Sequence, residues 1–191
     1  MAYYVMVGKS VYPAVFVENL YREHLPRPTW INGQFIDFEI PQPIVYDLDI
    51  DEHDTIPNVK ILDDTLPIPY MHDSIVEALL AVGVDNIQFY DAVIRDLKRN
   101  VDHTDFKAFN VVGLVSAADM SASTMMGTSN STLIDADFDR LVLDEEKCAG
   151  KLLFRLAENI TAIVVSEVVK NEVQKRGIKG VMFYPSGEWA G

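Results

Sequence analysis

A chain of 191 residues that is 49% hydrophobic, with nine Phe, eight Tyr and two Trp, holds enough apolar material for a packed core, which excludes a disordered polymer. Its net charge of −13, from 29 acids against 16 bases, argues against direct binding of nucleic acid and favours a basic protein partner reached by electrostatic steering. No apolar run reaches the ~20 residues of a membrane helix, no secretory leader is expected at the N-terminus, and the single Cys148 excludes an internal disulfide and fits a reducing cytoplasm.

In chain order, Tyr3–Val7 reads as a first strand. Residues 11–23 are ambiguous, with room for a short helix around Pro13–Tyr21. A strand is expected over Ile31–Ile40, after a turn at Asn32-Gly33. Ile44–Ile50 sets Val45, Asp47 and Asp49 against Tyr46, Leu48 and Ile50, a period of two that reads as a strand with one acidic, solvated side. Asp51–Pro57 is a polar loop and Val59–Leu62 a short strand. Charge is concentrated here, since residues 31–75 hold ten acids and one Lys.

Met71–Tyr90 (MHDSIVEALLAVGVDNIQFY) and Val165–Tyr184 (VSEVVKNEVQKRGIKGVMFY) share a pattern at an offset of 94 positions. Each reads as a helix, a glycine stop and a strand ending in Phe-Tyr. Ile75, Ala78, Leu79 and Val82 give the i, i+3, i+4, i+7 face of a helix over about Ser74–Val82. Val165, Val168, Val169 and Val173 give a shorter face for a helix over about Glu167–Arg176. Gly83 and Gly177 stand where a helix end calls for positive φ. Asp73 and Ser166 are the expected caps at the two helix starts. Between these units, Asp91–Lys98 leads into a loop at Arg99–Thr104. Phe106–Val115 is apolar on both faces and belongs centrally in a sheet. Ser116–Thr132 reads as a long, partly mobile loop, Leu141–Leu143 as a strand, and Asp144–Ala149 as a turn or helical stub. Leu152–Leu156 and Ile160–Val165 form a hairpin, and Gly187–Gly191 a tail. The fold class is α+β, a mixed sheet flanked by a few helices. It is organised as one domain in which residues 1–59 are an N-terminal extension packing on residues 60–191.

Chemistry-bearing motifs are scarce. Asp47-Leu48-Asp49-Ile50-Asp51-Glu52 resembles a calcium loop only in its acids, because the required Gly and final Glu are replaced by Glu52 and Asn58. His24, His53, His72 and His103 show no i, i+3 or i, i+4 pairing for zinc. Ser166 lacks the Gly-x-Ser-x-Gly elbow of hydrolases. Gly8-Lys9-Ser10 lacks the earlier glycine of a phosphate loop. Cys148 stands beside Lys147, from which a lowered thiol pKa is expected, but a single cysteine without a partner group receives no role. Neither a metal nor a cofactor is expected, and no catalytic residue is assigned.

Four blocks carry a resemblance: Tyr70–Asp96 (YMHDSIVEALLAVGVDNIQFYDAVIRD), Phe106–Ser123 (FKAFNVVGLVSAADMSAS), Phe138–Leu156 (FDRLVLDEEKCAGKLLFRL) and Ile163–Phe183 (IVVSEVVKNEVQKRGIKGVMF). In order and spacing these resemble the bacterial immunity protein 11 family, over roughly residues 60–185. The resemblance implies an antidote in a polymorphic toxin system, one that protects its producer by binding a toxin encoded beside it, often one with a nuclease domain. The family's recurring positions fall on Asn110, Asp119, Ser123, Phe154, Arg155 and Ser166. The expectation that follows is a cytoplasmic immunity protein whose acids fill the basic groove of a nuclease toxin. Interface acids are expected at Asp47, Asp49, Asp51, Glu52 and Asp54, with Asp63 and Asp64 as further candidates, and aromatic anchors at Tyr46 and Trp30. A small-molecule hydrolase and an adaptor or chaperone for a secreted effector are the alternatives. A hydrolase needs a polar constellation in a pocket, and an adaptor binds without neutralising.

Overall fold

The computed structural model describes residues 1–9, 16–19, 30–49, 59–126 and 136–191, and of residues 16–19 and Asp49 the backbone alone. In chain order the elements are β1 (Tyr3–Gly8), β2 (Phe16–Asn19), β3 (Ile44–Asp49), β4 (Leu62–Asp63), β5 (Tyr70–His72), α1 (Asp73–Ala81), β6 (Ile87–Asp96), β7 (Val101–Val111), β8 (Leu114–Val115), β9 (Thr124–Met125), β10 (Phe138–Arg140), α2 (Glu145–Cys148), β11 (Leu153–Leu156), β12 (Ile163–Ser166), α3 (Glu167–Lys175) and β13 (Val181–Pro185). They build an α+β fold on two mixed sheets, ordered β2-β3-β6-β7-β5-β4 and β13-β1-β12-β11-β8, with β9 and β10 as a separate pair. Among the described residues, only β3 with β6 and β8 with β11 are parallel neighbours.

The two helices form where the apolar spacing places them. Along α1, Ile75, Ala78 and Leu79 are fully buried, and along α3 so is Val169, with Val173 almost so. Val168, expected on the inner face of α3, is instead 39% exposed, because a helix with two buried valines has only a narrow apolar stripe. Both helices end at a glycine of positive φ, +86° at Gly83 and +67° at Gly177, where a Cβ would be strained. Their N-termini differ from expectation. His72, not Asp73, caps α1, its Nδ1 accepting from Ser74 N at 3.1 Å. Ser166 occupies the N-cap position of α3 without a side-chain cap bond.

Each helix joins two parallel strands that are separated by a third, antiparallel one. β7 lies between β5 and β6, and β1 lies between β12 and β13. The helices pack on each other, with Arg176 Nη1 3.4 Å from Glu77 Oε2. Met6, Ile163 and Val165 from one sheet and Met71, Phe109 and Val111 from the other close a shared core around them. The opposite face of the five-stranded sheet holds a second core around Tyr3, Phe138, Phe154 and Trp189, and that of the six-stranded sheet a third around Trp30, Ile44, Tyr46, Tyr70 and Phe106. The sheets touch where β4 crosses the end of β1: a Cβ on Gly8 would stand 1.9 Å from Leu62 O.

Several expected elements change form. Phe16–Asn19, inside the region read as a possible helix, is a strand against β3. Arg99–Thr104 is not a loop, because β6 and β7 form one long hairpin with its turn at residues 97–100. Leu141 and Leu143 make only isolated bridges, and the strand stands just before them at β10. The described part of Ser116–Thr132 is ordered by β9 and by Asp119 rather than being a plain loop. Ile31–Ile40 forms no strand. Side-chain amides take the place of a backbone ladder there: Ile36 N donates to Gln88 Oε1 at 2.8 Å, and Gln88 Nε2 donates to Ile36 O at 2.9 Å. Among the described residues no helix is long and apolar enough to cross a membrane.

Candidate functional site

Alternation along β3, β6 and β7 separates a buried side from a charged one. Ile44, Tyr46 and Leu48 of β3 and Ala92 and Ile94 of β6 enter the third core, so the residues between them face the other way. On that other face Asp47 takes a two-pronged contact from Arg95, Nε to Oδ1 at 2.7 Å and Nη2 to Oδ2 at 3.1 Å. Asp102 stands across from Arg95 in the ladder, and Asp91 across from Lys107. Lys107 Nζ donates to Asp91 Oδ1 at 2.7 Å, which holds the lysine pKa above its ordinary value. Nearby, the proton on His72 Nε2 points to Asp105 Oδ2 at 2.9 Å, since Nδ1 is already occupied as an acceptor. The acid is the more exposed partner at two of these contacts, 69% for Asp91 against 28% for Lys107 and 58% for Asp105 against 29% for His72, whereas at the third Arg95 is 35% exposed and Asp47 17%. On this face Asp47, Asp91 and Asp102 stand with Arg95 and Lys107, so acids and bases are interleaved with a small excess of acid.

The residues expected at an interface divide. Asp47 lies on this face, and Asp49 follows two positions on in the same strand. Asp51, Glu52 and Asp54 lie outside the described residues. Tyr46 and Trp30 are inside the third core, at 0% and 3% exposure. Tyr46 packs edge-on to Tyr70 and donates its hydroxyl to Ile68 O at 3.2 Å, and Trp30 packs edge-on to Tyr90. The strand period already contains the burial of Tyr46, which falls on the side opposite Asp47.

Asp63 and Asp64 are also buried. Asp63 Oδ1 accepts from the Thr65 backbone N and hydroxyl, while Oδ2 meets Lys60 Nζ at 3.2 Å. Burial pushes the Asp64 carboxyl up to about 6, with the neighbouring Asp63 charge adding to the rise and Arg155 and Lys60 opposing it. Arg155, fully buried on β11, donates from Nη1 to Ile160 O at 2.8 Å, and burial lowers its pKa to about 10. Its Nε and Nη2 have no hydrogen-bond partner, nor has the buried Tyr70 hydroxyl. The sequence carried a signal for this cluster that spacing rules do not weigh, a single Arg inside the apolar run Leu152–Leu156.

The other positions singled out by resemblance hold the fold together. Asn110 Nδ2 donates to Gln34 O and Gln88 Oε1. Asp119 Oδ1 accepts from Ser121 N and Oγ and from Ala122 N. Ser123 Oγ accepts from Val142 N. Phe154 packs against Tyr3 in the second core, and the Ser166 hydroxyl is buried without a partner. Cys148 is buried too, and desolvation pushes its thiol up to about 11, the opposite of what an exposed Lys neighbour does.

Against known proteins, the model of the immunity protein family Imm11 matches residues 14–188. The match begins well before residue 60 and takes in β2, β3 and the whole charged face. No curated protein matches the chain.

Proposed function

The chain belongs to the immunity protein family Imm11, and on that premise we propose that it neutralises a nuclease toxin by laying an acidic surface over the toxin's basic active-site groove. A toxin-immunity role, and with it the binding of a cognate toxin, follows from the family. That family match over residues 14–188 carries the reading; the charge supports its finer part. A nuclease collects phosphates with Lys and Arg, so its groove attracts a protein of net charge −13. The acids offered are Asp47 and the neighbouring Asp49, Asp51, Glu52 and Asp54, together with Asp91 and Asp102 on the described face. An inhibitor of this kind needs no cofactor and turns over no substrate. Its place is the cytoplasm of the producer, which a lone, buried cysteine fits.

The test uses the toxin domain encoded in the neighbouring reading frame. Asp49→Lys, Asp51→Lys, Glu52→Lys and Asp54→Lys are combined, and Asp47 is left alone because it holds Arg95. Association with the toxin should slow by roughly tenfold or more at low salt, and its salt dependence should flatten, with dissociation little changed. Equal association rates and equal salt slopes would place the interface elsewhere. Absence of binding by the wild type would remove the reading altogether.

A further inference from the structure

Residues 30–43 run beside the first half of β6, whose pairing with β3 starts only at Ala92. In that segment Trp30, Ile36 and Ile40 are buried, whereas Phe35 is 64% and Phe38 42% exposed. Asp37 and Glu39, which interleave with the two phenyls, are exposed as well, and among the described residues neither has an ion-pair partner. Exposed phenyls are costly to leave in water unless something covers them. These two are also held rather than loose. One side chain, Gln88, satisfies both backbone groups of Ile36, Asn110 fixes Gln88 and Gln34 O, and Gly113 N donates to Gly33 O at 2.7 Å. Gln42 Oε1 accepts from Asp91 N at 2.6 Å and pins the far end. A fixed backbone with outward aromatic rings has already lost the entropy that ordering on binding would cost.

We infer that Gln34–Glu39 is the anchor of the toxin interface, with Phe35 and Phe38 seated in apolar pockets beside the toxin's basic groove and Asp37 and Glu39 paired with the Lys or Arg residues that line it. The inference rests on the toxin-neutralising reading above and adds the segment through which it works. Aromatic side chains surrounded by polar ones are the composition of interface centres that contribute most of the binding energy. Charge decides between a toxin and a second copy of this chain. In a two-fold self-contact the patch would meet its own carboxylates, whereas a basic groove complements them.

The test compares three full-length proteins against the toxin domain from the neighbouring reading frame: wild type, Phe35→Ala/Phe38→Ala, and Asp37→Asn/Glu39→Gln. The phenyl variant should dissociate at least roughly tenfold faster with association little changed, and the amide variant should associate more slowly at low salt. Thermal unfolding should be unchanged in both. A second readout does not depend on truncation. In Phe35→Cys, with Cys148 buried, a maleimide should label position 35 rapidly alone and slowly under saturating toxin. Wild-type dissociation in the phenyl variant, or labelling unaffected by toxin, overturns this inference while leaving the immunity reading standing. A wild type that fails to bind the toxin overturns both. A dimer of this chain that the phenyl variant breaks would assign the patch to self-association and overturn it too.

Discussion

Replacing Asp64 by Asn tests whether a buried carboxyl works against this fold at neutral pH. In the folded protein burial pushes Asp64 up to about 6 from an ordinary 3.8, despite the opposing charge of Arg155. A group whose folded pKa lies above its unfolded one favours the folded state most fully below the unfolded value, and that contribution is lost as pH rises through the folded value. The window is therefore about pH 4 to 6. A shift of about two units corresponds to on the order of 3 kcal/mol in full, of which roughly 2 kcal/mol falls between about pH 4.5 and 7.5. Denaturant unfolding of both proteins across that range gives the difference directly. All other ionisable groups are common to the two proteins and cancel in the difference. Asn is neutral, as the protonated carboxyl is, so the two proteins should differ least at the acid end, and the readout is the slope of their difference with pH. The stability of wild type relative to Asp64→Asn should fall by roughly 2 kcal/mol as pH rises from about 4.5 to 7.5. A difference that stays flat would mean that Asp64 is ionised throughout and firmly paired with the guanidinium, which would refute the argument from burial.

Two further outcomes follow from packing. Tyr46→Ala removes a fully buried ring together with its hydrogen bond to Ile68 O. It should cost about 3–5 kcal/mol in denaturant unfolding, with toxin binding falling only as the folded fraction falls; weaker binding at full folding would show that Tyr46 touches the toxin. Gly8→Ala places a Cβ 1.9 Å from Leu62 O, so β4 must move off β1. A loss of at least about 2 kcal/mol is expected, and an unchanged midpoint would show that the contact gives way freely.

What the sequence made legible was whatever depends on period. The strand at Ile44–Asp49, the two helices, their glycine ends and the hairpin of β11 and β12 all rest on apolar spacing, and the spacing was intact. What failed was decided by tertiary partners. Ile31–Ile40 has strand composition, but its neighbours on β6 and β7 offer Gln88 and Asn110 side chains rather than a backbone ladder. Asp63 and Asp64, expected as interface candidates, are both buried where β4 and the residue after it lie against the end of β1. Residue type alone points to Tyr46 and Trp30 as anchors, while among the described residues the rings left exposed are Phe35 and Phe38. Their exposure depends on an irregular segment whose course no period describes.

The proposed charged face and the proposed aromatic anchor both hang on β6. Gln88 holds the Phe35–Phe38 segment and Asp91 opens the charged face, three residues further along one strand. At ~3.3 Å per residue that separation is about 10 Å, well inside the footprint of a standard interface, which buries about 800 Å² on each partner. The two lie toward opposite faces of the sheet, yet the early part of β6 is not covered by β3, and Gln42 brings the end of the aromatic segment to Asp91 N itself. A convex toxin surface could not reach both sides of this edge, but a groove can straddle it. On the proposed reading, a partner whose binding site is a cleft could engage both at once. Rings seated beside a groove and carboxylates paired within it can act together only at a fixed spacing, and β6, through the hydrogen bonds of Gln88, Asn110 and Gln42, sets that spacing.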